Sequence, residues 1–270
     1  MPRIGAHVSA AGGVVNAPIN AYKEGCECFQ FFSRPPQGGP APVINPADAK
    51  KFINTCKKHD LEGYIHTPYY INLASQNNRV KYGSIKVIRE ELERGCFLKV
   101  KYIMTHLGTA AGYSDRKKAI TEVIKSLKKT LTGYKGETMF LIENSAGSGQ
   151  IIGHDFKEIK KIINGLKGCK VGVCLDVMHA FASGYHPAKL FNAFDKEIGL
   201  KYLKLIHAND AKSELGSHID RHEHIGLGNI GKEYFKKWLS DKRLSKINFV
   251  LETPKDGRAN DLEIMKKLRS

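Results

Sequence analysis

The chain has 270 residues, 41% of them hydrophobic and 26% charged, which fits one large α/β domain with an extensive core. The first residues, MPRIGAHVSAAGG, lack the charged-then-apolar pattern of a secretory signal. No apolar run approaches the roughly 20 residues that span a bilayer. We therefore expect a cytoplasmic protein that is neither secreted nor embedded in a membrane.

The charge is strongly basic, because 43 Lys and Arg against 27 Asp and Glu give a formal net charge of +16. This balance favours a polyanionic partner, and nucleic acid fits best because each neutralised phosphate releases counterions. Lysine pairs such as Lys117-Lys118 also resemble ordinary solvated helix faces, so charge alone does not decide the function. The six cysteines form no CxxC pair, and we expect them to be reduced and structural.

Short apolar runs followed by amphipathic stretches occur eight times along the chain. The predicted strands are 3–8, 28–33, 63–67, 102–107, 139–144, 171–176, 202–207 and 248–253. The clearest predicted helices are 46–59, with Asn45 as its N-cap, and 81–97. Eight βα units without a linker predict a single (β/α)8 TIM barrel over residues 1–270, whereas an open doubly wound sheet usually has fewer strands.

TIM barrels build their active sites at the C-terminal ends of the strands, and here these ends carry potential metal ligands. Predicted strands three to eight end at His66, His106, Glu143, Asp176, His207 and Glu252. Three more candidates lie just beyond strands six and seven, namely His179, Asp220 and His222. His7 ends the first strand and could orient a ligand through a hydrogen bond.

Imidazole and carboxylate ligands without thiolate suit zinc, and also manganese or iron. Nine ligands exceed what one ion needs, and they can hold two or three ions if a carboxylate bridges. Three dications against four carboxylates leave a charge of about +2, which suits a phosphodiester whose transition state gains negative charge. The ligand set therefore favours phosphoryl hydrolysis at the barrel mouth.

Several long stretches resemble one known family across essentially the whole chain. They are GAHVSAAGG (5–13), CLDVMHAFASGY (174–185), HANDAKSELGSHIDRHEHIGLGNIG (207–231) and LETP (251–254). The sequence closely resembles the endonuclease IV family of apurinic/apyrimidinic (AP) endonucleases. The resemblance implies hydrolysis of damaged duplex DNA 5′ to an abasic site, which leaves a 3′-hydroxyl and a 5′-deoxyribose phosphate, and also removal of blocking groups from 3′ ends.

The resemblance further implies three zinc ions, with Glu143 bridging two of them and orienting the attacking water as the catalytic residue. The implied ligands of the first ion are His66 and His106 beside that bridge, and those of the second are Asp176, His207 and Glu252. His179, Asp220 and His222 would hold the third.

Other matching positions concern DNA. Tyr69 and Tyr70 match positions that probe the DNA at the lesion, although they could equally pack over the barrel mouth. After strand two the family commonly carries an Arg and a Trp that enter the DNA, and here Gln37 and Gly39 stand at those places. Arg34 could compensate for this loss. The glycines of HIGLGNIG (224–231) either bring backbone amides to a phosphate or simply form turns.

Two alternatives stay open. A metal-dependent sugar isomerase or epimerase on a related barrel would need about one metal ion and would not require a basic surface. A DNA-binding relative with weakened catalysis would have lost ligands. Metal content discriminates between these alternatives. We expect a monomer with no obligate protein partner.

Overall fold

The computed structural model describes residues 1–269, in which eight parallel strands close into a barrel. The strands are β1 (Ile4–His7), β2 (Cys28–Phe32), β3 (Glu62–His66), β4 (Tyr102–Thr105), β5 (Met139–Glu143), β6 (Val171–Asp176), β7 (Leu203–His207) and β10 (Asn248–Leu251). Their order around the barrel is β1-β10-β7-β6-β5-β4-β3-β2. The predicted (β/α)8 barrel is thus confirmed. Strands β4 and β10 end two residues earlier than predicted, so His106 and Glu252 lie immediately after their strands.

A two-stranded antiparallel hairpin, not predicted from the sequence, lies between β7 and the helix that follows. Its strands are β8 (Asp210–Ala211) and β9 (His222–Glu223), with Ala211 paired to His222. This pairing folds the long segment after β7 back on itself. His222 is thereby returned to the barrel mouth.

Helices alternate with the barrel strands along the chain. They are α1 (Asn16–Lys23), α2 (Pro46–Lys58), α3 (Asn78–Leu98), α4 (Arg116–Leu131), α5 (Phe156–Gly165), α6 (Val177–Ala182), α7 (Leu190–Glu197), α8 (Lys232–Leu239) and α9 (Arg258–Arg269). The predicted N-cap of α2 is confirmed, since the Asn45 side chain accepts the Asp48 N–H. Helix α3 begins three residues before its predicted start because Asn77 caps it.

Two apolar layers make up the core. The larger lies between the strands and the surrounding helices. The smaller fills the barrel interior and consists of Cys28, Tyr64, Met104, Leu141, Cys174, Leu205 and Val250. Within the described residues all six cysteines are free, as expected, and none of the helices is long and apolar enough to span a membrane.

Candidate metal centre

Polar side chains form the next interior layer above the apolar one. Side chains on a strand alternate between its two faces, so the residue two positions beyond each inner apolar residue also points inward. These residues are Gln30, His66, His106, Glu143, Asp176, His207 and Glu252. Six of them are predicted metal ligands, and Gln30 is an addition. The barrel therefore brings the strand-end residues together at one mouth.

Glu143 lies at the centre of this layer and is fully buried. One of its oxygens, Oε2, is 2.8 Å from His66 Nε2 and 3.6 Å from His106 Nε2. The other, Oε1, is 2.8 Å from His207 Nδ1. Burial alone would raise the pKa of Glu143, but these three histidines hold it well below its usual value. The carboxylate is therefore ionised between imidazoles on both sides.

The candidate ligand atoms fall into three adjacent groups, each with its atoms within 4.8 Å of one another. The groups are His66, His106 and Glu143; Glu143, Asp176, His207 and Glu252; and Asp176, His179 and His222. Glu143 belongs to the first two groups and Asp176 to the last two. Each shared carboxylate has two oxygens, so it can contribute to neighbouring ions at once.

Asp220 borders the third group from a more exposed position. Its Oδ2 atom lies 3.3 Å from His179 Nε2, and its Oδ1 atom lies 3.7 Å from His222 Nε2. The burial of His179 opposes its charge, but Asp176 and Asp220 outweigh this effect and raise its pKa to about 10. The predicted ligand Asp220 is thus next to its expected neighbours.

Unpartnered nitrogens indicate that metal ions fit here. Among residues 1–269, the buried side-chain polar atoms without a hydrogen-bond partner are His106 Nδ1 and His222 Nε2. A buried polar atom without a partner destabilises the fold unless a bound ion or water molecule satisfies it. The second of these nitrogens faces carboxylate oxygens of Asp176 and Asp220, each at 3.7 Å.

Hydrogen bonds at the opposite ring nitrogens agree with this assignment. The Nδ1–H groups of His66, His179 and His222 donate to backbone carbonyls at 2.7, 3.0 and 3.2 Å, respectively. Metal-binding histidines usually anchor one ring nitrogen in this way, which fixes the tautomer and leaves the other nitrogen for the metal. The donors are nitrogen and oxygen, which suits zinc and also manganese or iron.

Two exposed tyrosines stand at the rim of the mouth. The Tyr69 side chain is 65% exposed and meets the Phe32 ring edge-on, with centroids 5.2 Å apart. Tyr70 is 38% exposed, and Gln37 is exposed in the neighbouring β2–α2 loop. The two loops are in contact, since the Tyr69 N–H donates to the Pro36 carbonyl at 3.2 Å. These three side chains are therefore exposed on two adjoining loops at the barrel mouth.

Arg34 lies elsewhere. Its side chain is 4% exposed, and its guanidinium donates to Glu90 and to the fully buried Glu91 on α3. A buried guanidinium that is held by two carboxylates is poorly placed to reach a phosphate at the surface. This placement argues against the predicted contact between Arg34 and DNA, and instead ties the β2–α2 loop to α3.

The glycine-rich segment 224–231 is organised by a buried carboxylate. Asp210 accepts the backbone N–H groups of Gly226 and Ile230, each at 2.9 Å. A Cβ atom on Gly228 would lie 2.6 Å from Asp210 Oδ1, so only glycine fits this approach. Because these amides are engaged within the protein, the turn-forming explanation of the glycines is favoured over a phosphate-binding one.

Comparison with known proteins agrees with this arrangement. A family model described as xylose isomerase-like TIM barrel matches residues 19–269. The chain is 40% identical to a probable endonuclease 4 of Aquifex aeolicus, over 98% of this chain and 96% of that one. It is 38% identical to a probable endonuclease 4 of Cenarchaeum symbiosum, over 99% of both chains. The chain belongs to the endonuclease IV family.

The solved structures agree with membership of the endonuclease IV family. The crystal structure of endonuclease IV from Thermus thermophilus matches with a TM-score of 0.88 and 30% identity, covering 99% of this chain and 98% of that one. A D-tagatose 3-epimerase-like protein matches with a TM-score of 0.75 at 18% identity. That second likeness shows a shared fold alone. The resemblance inferred from the sequence motifs is confirmed.

Proposed function

We propose that this member of the endonuclease IV family is a zinc-dependent DNA-repair endonuclease. It hydrolyses the phosphodiester 5′ to an abasic site in duplex DNA and leaves a 3′-hydroxyl and a 5′-deoxyribose phosphate. The observation that carries the proposal is the set of three ligand groups joined by the shared carboxylates Glu143 and Asp176. A metal-dependent sugar epimerase would need about one such group.

The ligand assignment follows the three groups, except that Asp220, which borders the third group, takes the place of Asp176 there. We assign the first ion to His66, His106 and Glu143, the second to Glu143, Asp176, His207 and Glu252, and the third to His179, Asp220 and His222. Zinc bound there would lower the pKa of a water molecule and offset the charge that develops on the phosphodiester. Manganese or iron could replace zinc at some positions, because the donor set suits them too.

The protein's own groups orient the reaction. Glu143, held ionised among the histidines, would accept a hydrogen bond from the attacking water and align it. Tyr69 and Tyr70, which are exposed at the mouth, would lie against the DNA at the lesion, with Gln37 on the adjoining loop. The net charge of +16 favours association with the phosphate backbone.

A duplex with one tetrahydrofuran abasic analogue tests this function, because the analogue resists β-elimination and a nick therefore requires hydrolysis. We expect the zinc-loaded protein to make a single nick 5′ to the analogue and to leave an intact-base duplex uncut. Glu143→Gln should lose the nick while keeping its fold. A protein with a full complement of metal ions that makes no nick would refute the proposal.

A further inference from the structure

Gln30 has its carboxamide between two candidate ligands of the second group. Its side chain is fully buried at the barrel mouth. Gln30 Oε1 lies 2.7 Å from His207 Nε2, and Gln30 Nε2 lies 2.6 Å from Glu252 Oε1. One amide thus contacts two side chains that reach the mouth from different strands, β7 and β10.

The polarity of these contacts is determined by chemistry. Glu252 must be a carboxylate to bind a metal ion, and a carboxylate can only accept hydrogen bonds. The NH₂ of Gln30 must therefore face Glu252, and Oε1 must face His207. An amide oxygen also only accepts, so His207 carries its proton on Nε2. Rotating the amide by 180° would set oxygen against oxygen at Glu252.

This arrangement leaves one atom of each ligand available. With Nε2 engaged by Gln30, His207 is left with Nδ1 to bind the ion, and that atom lies 2.8 Å from Glu143 Oε1, another candidate ligand. With Oε1 engaged by Gln30, Glu252 is left with Oε2, which lies 3.4 Å from the same Nδ1. Both remaining atoms face the second ligand group.

The remaining N–H of Gln30 is also accounted for. Gln30 Nε2 lies 2.9 Å from His7 Nδ1, and His7 is the register partner of Gln30 in the pairing of β1 with β2. His7, expected from the sequence to orient a ligand, therefore holds Gln30 in place. The amide is fixed by three contacts from three strands.

We propose that Gln30 is a positioning residue for the second metal ion. Its carboxamide selects the His207 tautomer that presents Nδ1 and directs the free oxygen of Glu252 toward the same site. The inference rests on the metal centre of the proposed function. It concerns a residue that binds no metal itself, and groups of this kind typically contribute about 10- to 100-fold to metal affinity.

The test compares zinc release from the full-length protein, Gln30→Met and Tyr64→Phe. Methionine keeps the approximate length of glutamine but loses the amide. Tyr64→Phe is the matched control, since it also removes hydrogen bonds inside the barrel, those to Glu62 and Asn248, one layer below the mouth. Each zinc-loaded protein is mixed with excess 4-(2-pyridylazo)resorcinol, and the ions released are counted against time.

We expect one of the ions to leave Gln30→Met about 10- to 100-fold faster than it leaves the unmodified protein. Tyr64→Phe should release all its ions at the unmodified rate. Equal release from Gln30→Met and the unmodified protein, or equal acceleration in both variants, would overturn the proposal.

A second measurement needs no variant. The zinc-loaded, unmodified protein labelled with ¹⁵N-histidine reports by NMR which ring nitrogen of each histidine carries the proton and which is left for the ion. A proton on Nε2 of His207 supports the role of Gln30, and a proton on Nδ1 refutes it. Failure of the proposed function is distinguishable, because it would appear as missing ions or a missing nick in the unmodified protein.

Discussion

His222 Nε2 faces Asp176 Oδ2 across 3.7 Å, and this buried nitrogen has no hydrogen-bond partner in the protein. A histidine held in this way suits a metal ligand, and its loss removes one of the three ligands proposed for the third ion. We expect His222→Ala to retain two zinc ions per chain and the unmodified protein three, measured by mass spectrometry of metals after gel filtration. His186→Ala, at an exposed histidine, should retain three. Three ions in His222→Ala would contradict the assignment.

A substitution at Arg34 tests whether this residue stabilises the fold or binds DNA. Its replacement by leucine removes the closest countercharge of the fully buried Glu91, and Arg94, at 3.7 Å, compensates only partly. We expect Arg34→Leu to lower the free energy of unfolding in urea by about 3 kcal/mol. The affinity of the folded variant for abasic duplex should stay within about twofold of the unmodified value, since less than about 0.5 kcal/mol is at stake for a residue without DNA contact. Unchanged stability with weakened DNA binding would restore Arg34 as a DNA contact.

For Tyr69 we expect the opposite result, a loss of DNA binding with little change in stability. Because its side chain is 65% exposed, Tyr69→Ala should change the free energy of unfolding by about 1 kcal/mol or less. Loss of an aromatic surface against the DNA should weaken binding to abasic duplex about tenfold, or about 1.4 kcal/mol. Fluorescence anisotropy measures this change, and Tyr82→Ala, at a tyrosine of α3 that is 47% exposed, is the matched control. Equal binding by both variants would remove Tyr69 from the interface.

Asp210 should determine the order of the glycine-rich segment. Asp210→Ala leaves the N–H groups of Gly226 and Ile230 without their acceptor, at about 1–3 kcal/mol for the buried Ile230, while the exposed Gly226 is opened to water. We expect hydrogen exchange at these two amides to accelerate at least about tenfold, corresponding to about 1.4 kcal/mol of lost protection. Asp241→Ala, which removes a cap outside this segment, should leave their exchange unchanged. Unaltered exchange in Asp210→Ala would show that the glycines hold the turn unaided.

Glu27 makes a pH-dependent contribution to the free energy of unfolding. Burial would raise the pKa of Glu27, but hydrogen bonds from Arg269 and the Ile4 N–H outweigh burial and lower it. A lowered pKa in the folded state means that the stabilisation is present above the unfolded pKa of about 4.3 and is lost as the pH falls through the folded value. We expect Glu27→Gln to be less stable at pH 7 by about 1 kcal/mol or less, since the side chain is partly exposed. Urea titrations from pH 7 downward should show this difference shrinking, and a constant difference would contradict the role of the ion pair.

The barrel, and the gathering of the candidate ligands at its mouth, could be predicted because both depend on patterns within short stretches of sequence. Apolar runs at regular spacing predicted the strands, and histidines and carboxylates at their ends are conspicuous by chemical type alone. The helical start at Asn77 was missed because the polar residues that follow a cap carry little periodic signal. The hairpin that returns His222 to the mouth has two residues in each strand, too few for an alternation to register.

Gln30 and Arg34 illustrate what the sequence conceals. Gln30 has a detectable signal, because it stands two positions beyond the inward-facing Cys28, as His66 stands beyond Tyr64. The two candidate ligands that it contacts, however, lie more than 170 residues away in sequence, so only the closed barrel reveals them. Arg34 looked like a free cation in a loop because its acidic partners lie 56 and 57 residues later, on α3.

In the glycine-rich segment 224–231, the residue that fixes the backbone path is different from the side chains that the segment exposes. The carboxylate that sets the path of this segment lies outside it and is buried, while Leu227, within it, is 75% exposed and contributes no side chain to that anchoring. Substitutions at position 227 can therefore change the side chain that this segment presents to solvent without moving the backbone that leads from His222. The surface of the segment is thus free to vary while its path stays fixed.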